Sequence, residues 1–212
     1  SKNFEKEFGV KVNYDTYEDN EALLAKLQSG ATGYDIVVPT GYMVEIMIKQ
    51  GLLTPINHVN IPNLKGVSEA LQDPPYDPGR QHTVPWQWGT TGFAYNSKKV
   101  SGTVDSWKLL WDPTYTRKIT MLDDMRSAIS VALKLLGYSL NSTSEKELME
   151  AKKLLMEQKP LLKAYISAPV KSLLISGEVW LSQLWVGDTL MAKDENNDID
   201  YCIPIEGCEI WD

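Results

Sequence analysis

The sequence predicts an α/β fold, and three observations carry that prediction. A short apolar run, Tyr34-Asp35-Ile36-Val37-Val38, lies between Gly33 and Pro39, the pattern of a parallel strand buried on both faces. Helical patterns stand on either side of it, so strand and helix alternate from Lys11 to Gln50. A second set of alternating strands and helices starts near Ser97.

The elements follow in order. Phe4 to Phe8 reads as the end of a helix closed by Gly9. Lys11 to Tyr17 alternates, with Val12, Tyr14 and Thr16 on one face, and reads as a strand. Asn20 is the expected N-cap of a helix whose stripe is Leu23, Leu24 and Leu27, ended by Gly30. Tyr42 to Gln50 is a helix with Val44, Met47 and Ile48 inward, stopped by Gly51. Residues 52–80, rich in Pro, Asn and Asp, read as a long surface excursion with short helical pieces. Thr83 to Asn96 returns to strand and carries Trp86 and Trp88, expected to pack.

In the second unit, Trp107 to Trp111 is a short helix and Lys118 to Leu122 a strand. Asp124 caps a helix with Ile129, Ala132, Leu133 and Leu136 inward, ended by Gly137. Ser144 and Glu147 suggest a capping box for a helix that Lys159-Pro160 breaks. Ala164 to Ser167 is a short strand, and Val170 to Ile175 a short helix ended by Gly177. Glu178 to Trp185 is a strand, Asp188 to Lys193 a helical turn, and Ile199 to Ile205 a last strand. The expected division is a first lobe over 1–96, a second over 97–206, and a crossover back to the first over 207–212.

The 212 residues are 43% hydrophobic and 23% charged, as in ordinary globular proteins. A net charge of −7 argues against nucleic acid, which needs a basic face, and suits a cationic partner. No apolar run is long enough to span a bilayer. With only His58 and His82 beside Cys202 and Cys208, no zinc-site spacing exists, and neither metal nor cofactor is expected. The two cysteines are spaced to bridge a hairpin or to serve as two small hydrophobes. Phosphate-loop, dinucleotide, nucleophile-elbow and zinc-protease motifs are absent.

Ligands of open α/β sheets bind outside the carboxyl ends of the strands. Three such ends deliver Thr40-Gly41-Tyr42, Asp123-Asp124, and Gly187-Asp188 after Trp185. Carboxylates with aromatic faces suit an organic cation, through charge-assisted hydrogen bonds and cation–π attraction. Plainer readings stand beside this one. Asp124 is explained by capping alone, Asp123 by a turn, and Tyr42 and Trp185 by core packing.

At these same loops the sequence resembles the bacterial spermidine/putrescine-binding proteins. Asp35-Ile36-Val37-Val38-Pro39-Thr40 with Tyr42, Val84 to Thr91, Ser106-Trp107 with Leu110-Trp111, Leu122 to Arg126, Trp185 with Gly187, and Glu206-Gly207 before Trp211 each match a family segment, in order. The resemblance implies a type II periplasmic-binding-protein fold, in which two α/β lobes close on a polyamine. It implies a periplasmic or lipid-anchored monomer that passes its ligand to the permease subunits of an ABC transporter, and no enzymatic activity. By the same resemblance Thr40 and Tyr42 line the site from one lobe. Asp124 and Asp188 pair with ammonium groups, Trp185 stacks on the ligand, and Trp211 forms another wall. Asp188 matches the putrescine-preferring branch and the position of a further family carboxylate is Ser127 here, which together lean the expected ligand towards a diamine.

The chain opens at Ser1 without an initiator Met and stops at Asp212, so a fragment or processed form is expected, lacking the family's first strand and its C-terminal part. Three other readings remain: a binder of another small amine or cation, a regulator's effector domain, and a hydrolase using Asp124 and Asp188 as acid and base.

Overall fold

The computed structural model describes residues 1–17, 19–30 and 33–212. The chain divides into two compact units, Ser1–Trp86 and Gln87–Asp212.

In the first unit, α1 (Lys2–Phe8) ends at Gly9, whose φ of 65° is the left-handed conformation that glycine adopts without strain. Helix α2 (Asn20–Gln28) is capped one residue earlier than the sequence suggests. Asp19 is extended, and its carboxylate accepts from Ala22 N at 2.7 Å. Asn20 thereby enters the first turn and is buried. Helix α3 (Gly41–Lys49) buries Met43, Val44 and Met47, and Met43 and Met47 pack with Leu23. Met43 is buried where Ile48 was expected, Ile48 being only half-buried.

The expected strands at 11–17 and 34–38 form no ladder among the described residues. A parallel strand needs backbone partners on its edges and cover on its faces. Among the described residues the first unit supplies no strand partner and covers one face only: Val37 packs against the Leu23, Met43 and Met47 cluster, while Ile36 is 82% exposed.

The excursion carries four short 3₁₀ turns, at His58–Asn60, Pro62–Gly66, Glu69–Leu71 and Pro78–Arg80. Two buried charges tie it together. Arg80 Nε and Nη2 donate to Leu71 O, and Nη1 donates to Tyr76 Oη and Thr83 Oγ1. Asp77 accepts from Gln81 N at 3.1 Å, His82 N at 3.0 Å and Thr83 Oγ1 at 2.8 Å.

The second unit is built on one mixed sheet. Its strands are β1 (Gly89–Asn96), β2 (Ile119–Met121), β3 (Leu162–Tyr165), β4 (Leu181–Trp185), β5 (Ile199–Cys202) and β6 (Glu209–Trp211). The order is β3-β2-β4-β1-β5, with β6 also on β1. The β2 strand runs parallel to β3 and β4, and β1 runs antiparallel to β4, β5 and β6. The 89–96 strand, expected with the first lobe, is therefore central to the second unit, and the expected crossover contributes β6 to the same sheet. Trp86 and Trp88, read as packing residues, precede β1 and are 83% and 61% exposed.

Helices α4 (Met125–Leu135), α5 (Glu145–Gln158), α6 (Val170–Ile175) and α7 (Val186–Glu195) cover the sheet. Neighbours on β1 serve opposite faces: Phe93 joins Trp107, Leu110, Met121 and Val131, while Ala94 joins Leu122, Leu174, Leu184 and Ala192. Helix α4 turns Ala128, Val131, Ala132 and Leu133 inward; Leu136, expected there, is its exposed C-cap. The expected capping box does not form, because Glu147 accepts from the Ser142 hydroxyl instead of bonding at Ser144. Cys202 and Cys208 are free thiols, and Cys202 packs in the core as a small hydrophobe.

Asp77 generates a test. Burial alone would raise its pKa, but the donors at His82 and Thr83 outweigh burial and lower it below the ordinary 3.8. A depressed folded-state pKa contributes stability above the unfolded value, and that stability is lost as the pH falls through the folded one. Asp77→Asn should destabilise the first unit by about 1.5–3 kcal/mol near neutral pH, the scale of a hydrogen bond to a charged group. In urea unfolding at neutral and acid pH, the gap from wild type should close in acid.

Candidate functional site

The first unit holds Thr40 and Tyr42 at the start of α3. Asn20 Nδ2 donates to Thr40 Oγ1 at 2.8 Å and to Tyr42 Oη at 3.2 Å, and Asn20 Oδ1 accepts from Thr40 N at 3.3 Å. Tyr42 Oη in turn donates to Glu21 Oε1 at 3.1 Å. The buried amide of Asn20 thus fixes both hydroxyls, a role the capping reading missed. Gly41 between them must be glycine, since a Cβ there would meet Tyr76 Cε1 at 2.4 Å.

The second unit gathers more chemistry at the carboxyl ends of β2 and β4. Asp124 is the N-cap of α4, its carboxylate accepting from Ser127 N at 2.7 Å. The capping reading of Asp124 is therefore correct, and the residue is half-buried. A second anchor holds the same helix end. Gln183 on β4, fully buried, donates through Nε2 to Ser127 O at 3.0 Å and accepts from Leu122 N at 3.2 Å through Oε1. One amide thereby locks strand β4, the end of β2 and the first turn of α4 to one another.

Trp185 closes β4 and is half-buried against the Leu184–Ala192 cluster, so part of the core reading of its ring holds. Its carbonyl accepts from Thr189 Oγ1 at 3.0 Å, which fixes the first turn of α7. Asp188 lies in that turn, and burial raises its pKa while Lys171 partly offsets the rise. No hydrogen bond links Asp188 to Asp124.

Sequence reasoning passed over Glu209. Ser127 Oγ donates to Glu209 Oε2 at 2.7 Å. Burial raises the pKa of Glu209 most, the charge of Asp124 adds to the rise, and Ser127, Thr91 and finally Arg126 lower it. Thr91 is the β1 partner of both Trp185 and Glu209. Its hydroxyl is buried and favours the ionised carboxylate, without making a hydrogen bond of ordinary geometry. Trp211 shares the face of β6 with Glu209 by strand alternation. Its ring lies over Gly89, where a Cβ would sit 2.7 Å from Cζ2, and its Nε1 is buried without a partner. The period-two pairing of Glu209 with Trp211 was the available signal.

Among the described residues no three His, Cys, Asp or Glu side chains group as a metal site, and no helix is long and apolar enough to cross a membrane. Two motifs of the sequence meet in space: the Glu206 carboxylate accepts from Ser106 Oγ and Trp107 N, and Gly207 O accepts from Trp107 Nε1 at 2.8 Å. They stitch β6 to the 3₁₀ turn at Trp107–Trp111 and so hold Glu209 in place.

The model of the bacterial extracellular solute-binding proteins matches residues 1–212. The chain belongs to that family. Among curated relatives of this solute-binding protein, the spermidine/putrescine-binding periplasmic proteins of Salmonella typhimurium and Escherichia coli K12 are 35% and 36% identical over 210 residues. Each alignment covers 98% of this chain and 60% of the relative. The putrescine-binding periplasmic protein SpuD of Pseudomonas aeruginosa is 34% identical over 223 residues, 96% of this chain and 61% of its own. The solute-binding protein thus spans about 60% of the length of the curated relatives it matches. Among solved structures, the TpPotD lipoprotein of Treponema pallidum superposes with a TM-score of 0.92 at 32% identity, covering 99% of this chain and 67% of that one. The substrate-binding protein PotD of the spermidine/putrescine ABC transporter of Streptococcus pneumoniae gives 0.79 at 31%, covering 99% and 65%. The α/β, solute-binding-protein fold expected from the sequence is the fold of these relatives.

Removal of the Gln183 amide tests the geometry of α4. Gln183→Leu leaves the buried Leu122 N without its acceptor, while Ser127 O keeps the Ser130 hydroxyl as a donor. The substitution should cost the second unit about 1–3 kcal/mol, the penalty of an unsatisfied buried group, measured by chemical denaturation.

Proposed function

We propose that this chain belongs to a binding protein that captures a polyamine outside the cytoplasmic membrane and delivers it to an ABC permease. The observation that carries the proposal is the set of carboxylates at the carboxyl ends of β2 and β4, with an aromatic ring beside one of them. Asp124 and Asp188 stand at two adjacent strand ends, and Trp185 directly precedes the helix of Asp188. An ammonium offers donors only, so carboxylates answer its charge and an aromatic face covers its methylenes. The names of the relatives, spermidine/putrescine-binding and putrescine-binding, support the same ligand class. Trp211 adds an aromatic wall from the same unit.

Binding rather than catalysis is favoured by the relatives, each of which is named as a binding protein. Asp124 already serves as the cap of α4, accepting from Ser127 N.

Asp124→Asn and Asp188→Asn in the full chain should each weaken polyamine binding by about 1.5–3 kcal/mol. Calorimetric titration with putrescine, cadaverine, spermidine and spermine reads the effect and the preferred length. Unchanged affinity in both variants would sink the assignment.

A further inference from the structure

We propose that Glu209 is an ammonium-pairing residue of this site, and that Ser127 is the residue that positions it. The inference rests on the polyamine reading above and adds to it a carboxylate that no strand-end loop supplies.

Glu209 is half-buried, and Ser127 Oγ occupies one of its carboxylate oxygens at 2.7 Å. Among the described residues the other oxygen, Oε1, makes no hydrogen bond of ordinary geometry. Asp124 is close enough to repel it, so two like charges face each other at the start of α4. The charged groups that bear on Glu209 are Asp124 and Arg126 of α4, and Arg126 has the weakest influence. Arg126 bonds elsewhere, to Asn141 Oδ1 at 2.6 Å. A second observation is independent of the charges: Thr91, 2% exposed, presents beside Glu209 a hydroxyl oxygen with no hydrogen-bond partner. A buried hydroxyl is seldom left so.

Two carboxylates and a hydroxyl oxygen want donors and a positive charge. An ammonium group is three donors and one charge on a compact head. It answers Glu209, Asp124 and Thr91 together, whereas a metal ion would need more ligating side chains than this grouping offers. Ser127 thus does not leave the site a carboxylate short. It holds one brought by β6, so Ser127 no longer argues for a diamine and only Asp188 does.

The free carboxylate is biased towards its protonated form by burial, and an ammonium ligand favours the ionised form. Binding should therefore release a proton on the acid side, and affinity should rise with pH until Glu209 is ionised in the free protein. The experiment is calorimetric titration of the full chain with putrescine and spermidine, from acid to neutral pH, in buffers of different ionisation enthalpy. Glu209→Gln should weaken binding about ten- to a hundredfold and abolish the proton release. Ser127→Ala keeps the carboxylate but removes its donor, and should move the acid limb of the pH profile upward. Glu209→Gln binding as tightly as wild type, with the same proton release, would overturn this inference while leaving the polyamine reading intact. A wild-type chain that binds neither amine would overturn both. Should Glu209→Gln fail to fold, Ser127→Ala decides, and an acid limb that stays where it was counts against the proposal.

Discussion

Strand β1 is the constraint on which the second unit depends. One of its edges is paired with β4 from Thr91 to Tyr95, while the other is shared between β6 and β5. The partner changes at Gly92, where a Cβ would lie 2.3 Å from Cys202 O. No side chain fits there, so glycine is what lets one strand edge serve two partners. Gly89 does the same for Trp211, whose ring rests on bare backbone. Replacing either glycine would push β5 or β6 away, and Glu209 with it.

The second controlling feature is the start of α4. Its first-turn N–H groups need acceptors, and its dipole favours negative charge. Asp124 satisfies the cap, and Gln183 binds the same turn to β4. Two anions can be held close together because they stand at a positive helix end. The residual repulsion appears as the raised pKa of Glu209, to which burial contributes most.

Much of this was legible from local pattern. The helix beginning after Asp124, the strand before it, the end of β4 at Trp185 and the turn that carries Asp188 all follow from apolar spacing and caps within a few residues. What local pattern could not give was pairing. The run at 34–38 has the composition of a buried strand, yet a strand exists only where partners complete its hydrogen bonds, and the first unit leaves Ile36 exposed. The capping error at Asn20 has the same origin. Asp19 and Asn20 are both good caps, and only contact with Thr40 and Tyr42 shows that Asn20 is needed elsewhere. Glu209 was missed because its importance depends on the register of β6 against β1 and on the reach of Ser127, neither of which is a property of its neighbours in sequence.

The means by which Glu209 is held bears on what the site can recognise. A lysine or arginine in ion-pair contact would lower its pKa further and stabilise the free protein more than a hydroxyl does. Such a side chain would also occupy the place of a cationic ligand, which would have to displace it. A serine hydroxyl orients the carboxylate without neutralising it, so the charge stays available. Arg126 is turned to Asn141 and acts on Glu209 less than any of the other groups. The free unit accepts an unneutralised, partly buried carboxylate, at a cost in stability and in pKa. Under the proposed polyamine reading, a ligand that brings positive charge recovers that cost on binding and a neutral one does not, so the feature that weakens the free site would discriminate in favour of cations.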